Sequence, residues 1–182
     1  MIGDDVAAVT GHGFPLQLAN RTGWQITTDA VDGSGYVALG ASGAPGLAAR
    51  AAAAAARRPD LVILAVGLND ARDFVGDQAL RDAARDAFAE LTSQPTLVIG
   101  PFWPGTASRQ AAAVDDLLAA EAAAAGLTYV SPTDERWFSG VASDPRASLR
   151  VFLDDDLVRP SAVGSKVLTD RIQEHLDTLA SG

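Results

Sequence analysis

Apolar positions along this chain fall into short unbroken runs, separated by longer stretches patterned at helical spacing. The clearest run is 61–66, Leu-Val-Ile-Leu-Ala-Val, which carries β-branched members and stops on Gly67. A short apolar run without alternation reads as a strand buried on both faces, as in a parallel sheet between helix layers. The runs 96–99 and 127–130 are of the same kind, and the β-rich stretch 24–31 reads as a further strand. Ile2 reads as the end of a first strand, with Gly3-Asp4-Asp5 as a strand-to-helix turn. Helical patterns fill the intervals. Residues 14–21 carry Pro15 near their start and meet Gly23 at their end. Residues 48–58 are alanine-rich and finish on Arg57-Arg58, which suits the negative end of a helix dipole. Residues 77–92 place Leu80, Ala84, Phe88 and Leu91 on one face. Residues 108–125 run up to Gly126, and 162–179 form a closing helix. Strand and helix alternate throughout. The prediction is an α/β fold: a three-layer α/β/α sandwich on a parallel, doubly wound, flavodoxin-like sheet. No repeat and no break in composition marks a second domain, so 1–182 is expected to form one domain.

Composition narrows the function classes. The net charge of −9 repels phosphate backbones, so a nucleic-acid partner is not expected. There is no cysteine, which removes thiolate nucleophiles, disulfides and cysteine-based metal sites. No basic, then apolar, leader opens the chain and no apolar stretch spans a bilayer, so the default expectation is a cytoplasmic protein. The bias to alanine, arginine and aspartate is of the GC-rich, actinobacterial type.

Candidate chemistry clusters at the strand ends. Run 61–66 ends on Gly67-Leu68-Asn69-Asp70, where open α/β sheets bind ligands. Gly67 permits a tight turn, and the amide of Asn69 can donate to an oxyanion. Taken alone, Asn69 and Asp70 read more simply as caps of the next helix. The long Gly/Ser-rich loop 32–46 contains Ser34, Tyr36 and Ser42. Without a neighbouring base these serines read as turn residues rather than nucleophiles. His12, between two glycines, reads as a solvated loop histidine, and His175, among acidic neighbours, as a surface one. Arg72 and Asp73 read as an ion pair at a helix start. Asp154-Asp155-Asp156 with Asp4 and Asp5 has the composition of a hard-cation site, but Arg159 among them argues against it, and no metal or other cofactor is expected. Tryptophans and phenylalanines are core by default. Trp103 and Trp137 fall in loops at the ligand end of the sheet, in 100–105 and 131–148, where one of them could line a pocket.

Four pieces then stand in order: Gly3-Asp4-Asp5; Gly33; Gly67-Leu68-Asn69-Asp70; and Asp156-Leu157-Val158-Arg159-Pro160-Ser161. Together they resemble the SGNH, or GDSL-type, hydrolases, over nearly the full chain. That resemblance implies the three-layer fold and ester hydrolysis. It implies a nucleophile at position 5, an oxyanion hole with Gly33 and Asn69, and a base and its acidic partner at 159 and 156. A small acyl or carbohydrate ligand is implied too. The family also has a full strand ahead of its first motif. Here only Met1 and Ile2 precede Gly3, so the first strand is expected to be truncated, with the true start of the chain upstream.

The departures carry the functional reading. Asp5 stands where the family has serine, and Arg159 where it has histidine, while Gly33, Asn69 and Asp156 match. Arginine stays protonated and accepts no proton. A carboxylate attacking an ester would have to form a mixed anhydride. The two changes carry opposite charges, so the expectation is a closed row, Asp5–Arg159–Asp156, in place of a catalytic relay. The leading reading is a catalytically degenerate SGNH-fold protein with a binding or structural role. The alternatives are an active esterase with a nonstandard residue set, and a chain altered by design to trap a ligand.

Overall fold

The computed structural model describes residues 1–40, 43–73, 76–103, 107–138, 150–156 and 158–180. Ser42, Pro104, Gly105, Leu157 and the 139–148 part of the expected irregular loop lie outside the described residues. The described elements are β1 (Ile2–Gly3), α1 (Phe14–Thr22), β2 (Asp29–Ala30), α2 (Leu47–Ala55), β3 (Val62–Ala65), α3 (Leu68–Asp73), α4 (Asp77–Ala89), β4 (Thr96–Ile99), α5 (Arg109–Ala124), β5 (Thr128–Val130) and α6 (Ala162–Ala180). The strands form one sheet in the order β2-β1-β3-β4-β5, and every pair is parallel.

The unbroken apolar runs are explained by which layer each side chain enters. Val62, Leu64, Val66 and Val98 pack into a core under α2, α4 and α5. Ile63, Ala65, Leu97 and Ile99 face the opposite way, into a core with Phe14 and Leu18 of α1 and Leu168, Ile172 and Leu176 of α6. Side chains alternate across a strand, so a strand covered on both faces must be apolar at every position. Local signals set the helix ends. Pro15 sits at the start of α1, and Gly23 closes it in the left-handed conformation. Ser108 caps α5 by accepting the Ala111 N–H. Among the described residues, no helix is long and apolar enough to cross a membrane.

The stretch 24–31 departs from expectation, because only Asp29–Ala30 is ladder-bonded. Its one neighbour among the described residues, β1, is two residues long, so the residues ahead of Asp29 have no described strand to pair with. Trp24 is not core; it is 47% exposed.

Candidate functional site

The sheet order reverses direction at β1, with β2 on one side and β3 on the other. A doubly wound sheet opens a crevice at the carboxyl ends of its strands at such a switch point. Here those ends deliver Asp4 and Asp5 from β1, the 31–40 loop from β2, and Gly67 to Asp70 from β3.

Asp4 is a structural carboxylate. It is buried, accepts the Val6 N–H through Oδ1 at 3.1 Å, and accepts the Gly67 and Leu68 N–H groups through Oδ2 at 3.2 Å each. Gly67 has φ +129, which strains any side-chain-bearing residue and aims its N–H at Asp4. Burial pushes the Asp4 carboxyl up to about 7; the Val6 N–H opposes the rise and the charge of Asp5 adds to it.

Asp70 does not cap its own helix. Its carboxylate reaches across to the β2 loop and accepts the Tyr36, Val37 and Ala38 N–H groups at 2.6, 2.9 and 3.2 Å. Gly35 makes this approach sterically feasible, since a Cβ there would sit 2.2 Å from Asp70 Oδ2. Arg72, in turn, forms no ion pair with Asp73 or with any other described residue.

Asp5, Gly33 and Asn69 converge as the sequence pattern implied. The surprise is the position of the Asp5 carboxylate. Its Oδ2 accepts the Gly33 N–H at 2.8 Å and the Asn69 Nδ2–H at 2.7 Å. The same amide group donates to Ser34 O at 2.8 Å, which orients it. A pair of converging donors of this kind can stabilise a developing oxyanion. In this protein the pair is already bound to a carboxylate that is only 8% exposed.

Arg159 does not join Asp5. Its guanidinium bridges Asp156, at 2.8 Å, and Asp32, at 2.5 Å. The Asp156 carboxylate also accepts the Val158 and Arg159 N–H groups, both at 2.8 Å. The expected Asp5–Arg159–Asp156 row is therefore corrected to Asp32–Arg159–Asp156. The reason is that Asp5 already has two donors in the crevice, whereas Asp32 sits on the rim. The hydrogen bond to Asp32, then that to Asp156, raises the Arg159 pKa further, so it is a permanent cation. At Asp156 burial favours the neutral acid, but the Arg159 and Val158 N–H groups and the Arg159 guanidinium outweigh it, and its pKa is lowered.

Sequence reasoning missed Arg50. It lies on α2, is 3% exposed, and donates to Gly3 O at 2.8 Å, Asp29 O at 2.7 Å, Ser34 Oγ at 3.1 Å and Asp29 Oδ1 at 3.3 Å. It thereby ties β1, β2 and the donor loop together. The signal was present: Arg50 is the one charged residue in Leu-Ala-Ala-Arg-Ala-Ala-Ala-Ala-Ala.

The other candidates are structural. Ser34 is a buried turn residue, its hydroxyl donating to Val31 O and accepting from Arg50. His12 stands 3.7 Å from Asp154, and no hydrogen bond or ion pair joins it to Asp5. His175 is half-buried rather than free on the surface, stacked on Trp137 and bonded to Glu135 at 2.9 Å. Trp137 packs with Phe102 in the α1/α6 core, and Trp103 sits partly buried between both cores. Among the described residues, no three acidic or histidine side chains are grouped to hold a metal ion.

Comparison with known proteins agrees with the fold. The model of the GDSL-like Lipase/Acylhydrolase family matches residues 2–167. No curated protein matches the chain in sequence. Among solved structures, the acetyl xylan esterase AlAXEase superposes with a TM-score of 0.76 at 15% identity, covering 96% of this chain and 98% of that one. A protein from Lactobacillus plantarum gives 0.75 at 20% identity, covering 97% and 94%. Est24, a carbohydrate acetylesterase from Sinorhizobium meliloti, gives 0.73 at 14% identity, covering 98% and 97%. At these identities the likeness is one of fold.

Proposed function

The chain belongs to the GDSL-like lipase/acylhydrolase family, and from that membership we propose that it is a catalytically degenerate member, keeping the family's cleft for binding or structure without hydrolysing esters. One observation carries the reading. Asp5 Oδ2 holds both the Gly33 N–H and the Asn69 amide, the two donors that an ester's carbonyl oxygen would need. A nucleophile cannot attack a carbonyl while occupying the place where that carbonyl's oxygen must go. The chemistry of the other positions agrees. Arg159 cannot act as a general base, and a carboxylate is a poor acyl nucleophile whose charge opposes a growing oxyanion. Two of the fold neighbours are named as esterases of acetylated carbohydrates. That supports a small acyl or carbohydrate compound as the ligand class of this cleft.

The test is hydrolysis of p-nitrophenyl acetate and butyrate by the purified chain. The expected rate equals that of buffer. Turnover well above buffer that Asp5→Asn abolishes would overturn the reading and establish an esterase with a nonstandard residue set. Asp5→Ser combined with Arg159→His vacates the donor pair and supplies a nucleophile and a base, and is expected to gain measurable hydrolysis.

A further inference from the structure

The bonds around Asp5 leave two oxygens unused. Asp5 Oδ2 takes both the Gly33 N–H and the Asn69 amide, so Asp5 Oδ1 keeps its own lone pairs. Asn69 turns its Nδ2 to two acceptors, Asp5 Oδ2 at 2.7 Å and Ser34 O at 2.8 Å. Flipping that amide would set oxygen against oxygen at both contacts, so Asn69 Oδ1 has to point away from them. No donor from a described residue reaches Asp5 Oδ1 or Asn69 Oδ1. Both side chains belong to residues more than nine-tenths buried, Asp5 at 8% exposed and Asn69 at 5%. Neither oxygen is one of the side-chain atoms shut off from solvent with no partner. The floor of the crevice therefore presents two acceptors, where an empty donor pair would present two N–H groups.

The surrounding charge favours a cation. On the rim two carboxylates, Asp32 and Asp156, share the one guanidinium of Arg159. Asp154 stands beside them, its N–H bonded to Arg159 O at 2.8 Å and its carboxylate 3.7 Å from His12 Nε2. The charge of Asp5 already opposes ionisation of the buried Asp4. An ester or acetyl group arriving here would bring a carbonyl oxygen, one more acceptor, to a floor made of acceptors. A primary ammonium brings three N–H donors, no acceptor and the opposite charge. Asp32 uses only Oδ2 on Arg159 and its side chain is 52% exposed, so its Oδ1 is left for a hydroxyl of the same compound.

We propose that the Asp5 crevice binds a small polyhydroxylated compound through a free primary ammonium, which donates to Asp5 Oδ1 and Asn69 Oδ1. An amino sugar has this chemistry. The proposal rests on the degenerate reading above and narrows its ligand class to a carbohydrate whose amine is unacylated. The aspartate at position 5 then acts twice. It fills the donor pair with Oδ2, and through Oδ1 it turns the site from one that donates to an anion into one that accepts from a cation.

The experiment compares glucosamine, N-acetylglucosamine and glucose, which share a ring and differ at one substituent. Each is titrated into the ¹⁵N-labelled chain at about pH 6, below the range of amine titration, with ionic strength matched by sodium chloride. Glucosamine is expected to move the Asn69 side-chain amide and the Gly33 amide resonances saturably and to raise Tm, and the other two sugars to leave both in place. Asp5→Asn keeps the side-chain shape but offers N–H in place of the free oxygen, and should weaken the glucosamine response at least about tenfold. Arg159→Ala leaves the rim more negative and should strengthen it. Methylammonium, which stays charged through the Asp4 range, should lower the Asp4 midpoint seen by carboxyl NMR relative to sodium. Equal responses to the three sugars, glucosamine shifts confined to surface carboxylates with Asn69 unmoved, or an Asp5→Asn response equal to the parent's would overturn the proposal and leave the absence of ester hydrolysis standing. Turnover of p-nitrophenyl acetate would overturn the degenerate reading itself, and the proposal with it.

Discussion

Removing the carboxylate of Asp5 should turn the donor pair into an anion site. In Asp5→Ala the Gly33 N–H and one Asn69 amide hydrogen lose their acceptor. Hydrogen bonds to a charged group contribute about 1.5–3 kcal/mol each, so the gross loss is about 3–6 kcal/mol. Three effects reduce it. Asn69 keeps its bond to Ser34 O at 2.8 Å. The Gly33 N–H is only partly buried, so water can replace the acceptor it loses. The repulsion between Asp5 and Asp4 disappears. The net destabilisation should be about 2–3 kcal/mol, or a fall in Tm of roughly 4–12 °C for a domain of this size. The vacated place matches one carboxylate oxygen. Sodium acetate or formate should therefore restore Tm in Asp5→Ala and leave the parent unchanged, relative to sodium chloride at the same ionic strength. An anion at a hundredfold over its Kd would return about 2.7 kcal/mol. The assay is differential scanning fluorimetry across an acetate series, with urea unfolding at the end points. Overlapping acetate and chloride curves for the variant, or a variant within about 0.5 kcal/mol of the parent, would refute the idea that Asp5 fills an oxyanion hole.

Arg159 gives a contrasting expectation: its side chain is 38% exposed and its partners are similarly open, so Arg159→Ala should cost no more than about 1 kcal/mol. A urea double-mutant cycle between Asp5→Ala and Arg159→Ala should be additive within about 0.5 kcal/mol, and a larger coupling would restore the abandoned Asp5–Arg159 contact. Arg50→Met keeps most of the volume but removes the guanidinium bonds to Asp29 O and to Gly3 O, which retains the Val31 N–H, and should cost about 1.5–3 kcal/mol in urea unfolding, against a near-neutral result if the guanidinium only fills space. Asp4 titrates near 7 in the folded chain and near 3.8 unfolded, so the folded state binds its proton more tightly. Its contribution to stability is full below about pH 4, falls by up to ~1.4 kcal/mol per pH unit through the interval, and levels off above 7. Asp4→Asn should flatten that slope in urea unfolding across pH, and Asp5→Ala should lower the Asp4 midpoint seen by carboxyl NMR.

Local pattern alone determined the layered architecture. Run 61–66 read as a strand covered on both faces, and β3 sends Ile63 and Leu64 into opposite cores. Helix ends at Pro15, Gly23 and Ser108 were equally legible, because each acts through its own backbone within a few residues. The resemblance carried by the order of motifs also implied that Asp5, Gly33 and Asn69 come together, and their hydrogen bonds join them. Tertiary structure decided the pairing of charges. Asp4, Asp5, Asp32, Asp70 and Asp156 all reach the same end of the sheet, and composition cannot tell which takes the cation and which takes backbone N–H groups. The outcome depends on ångström-scale differences in depth. Asp5 is deep enough to meet Gly33 and Asn69 at under 3 Å, while Asp32, on the rim, meets Arg159. Arg50 and the shortness of β2 were hidden for the same reason: one is set by backbone carbonyls from two strands and the other by the length of a neighbour. Hydrophobic periodicity is a property of neighbouring residues, so one chain displays it. The partner of a buried charge is chosen by desolvation and geometry across dozens of residues, and only the folded molecule displays that.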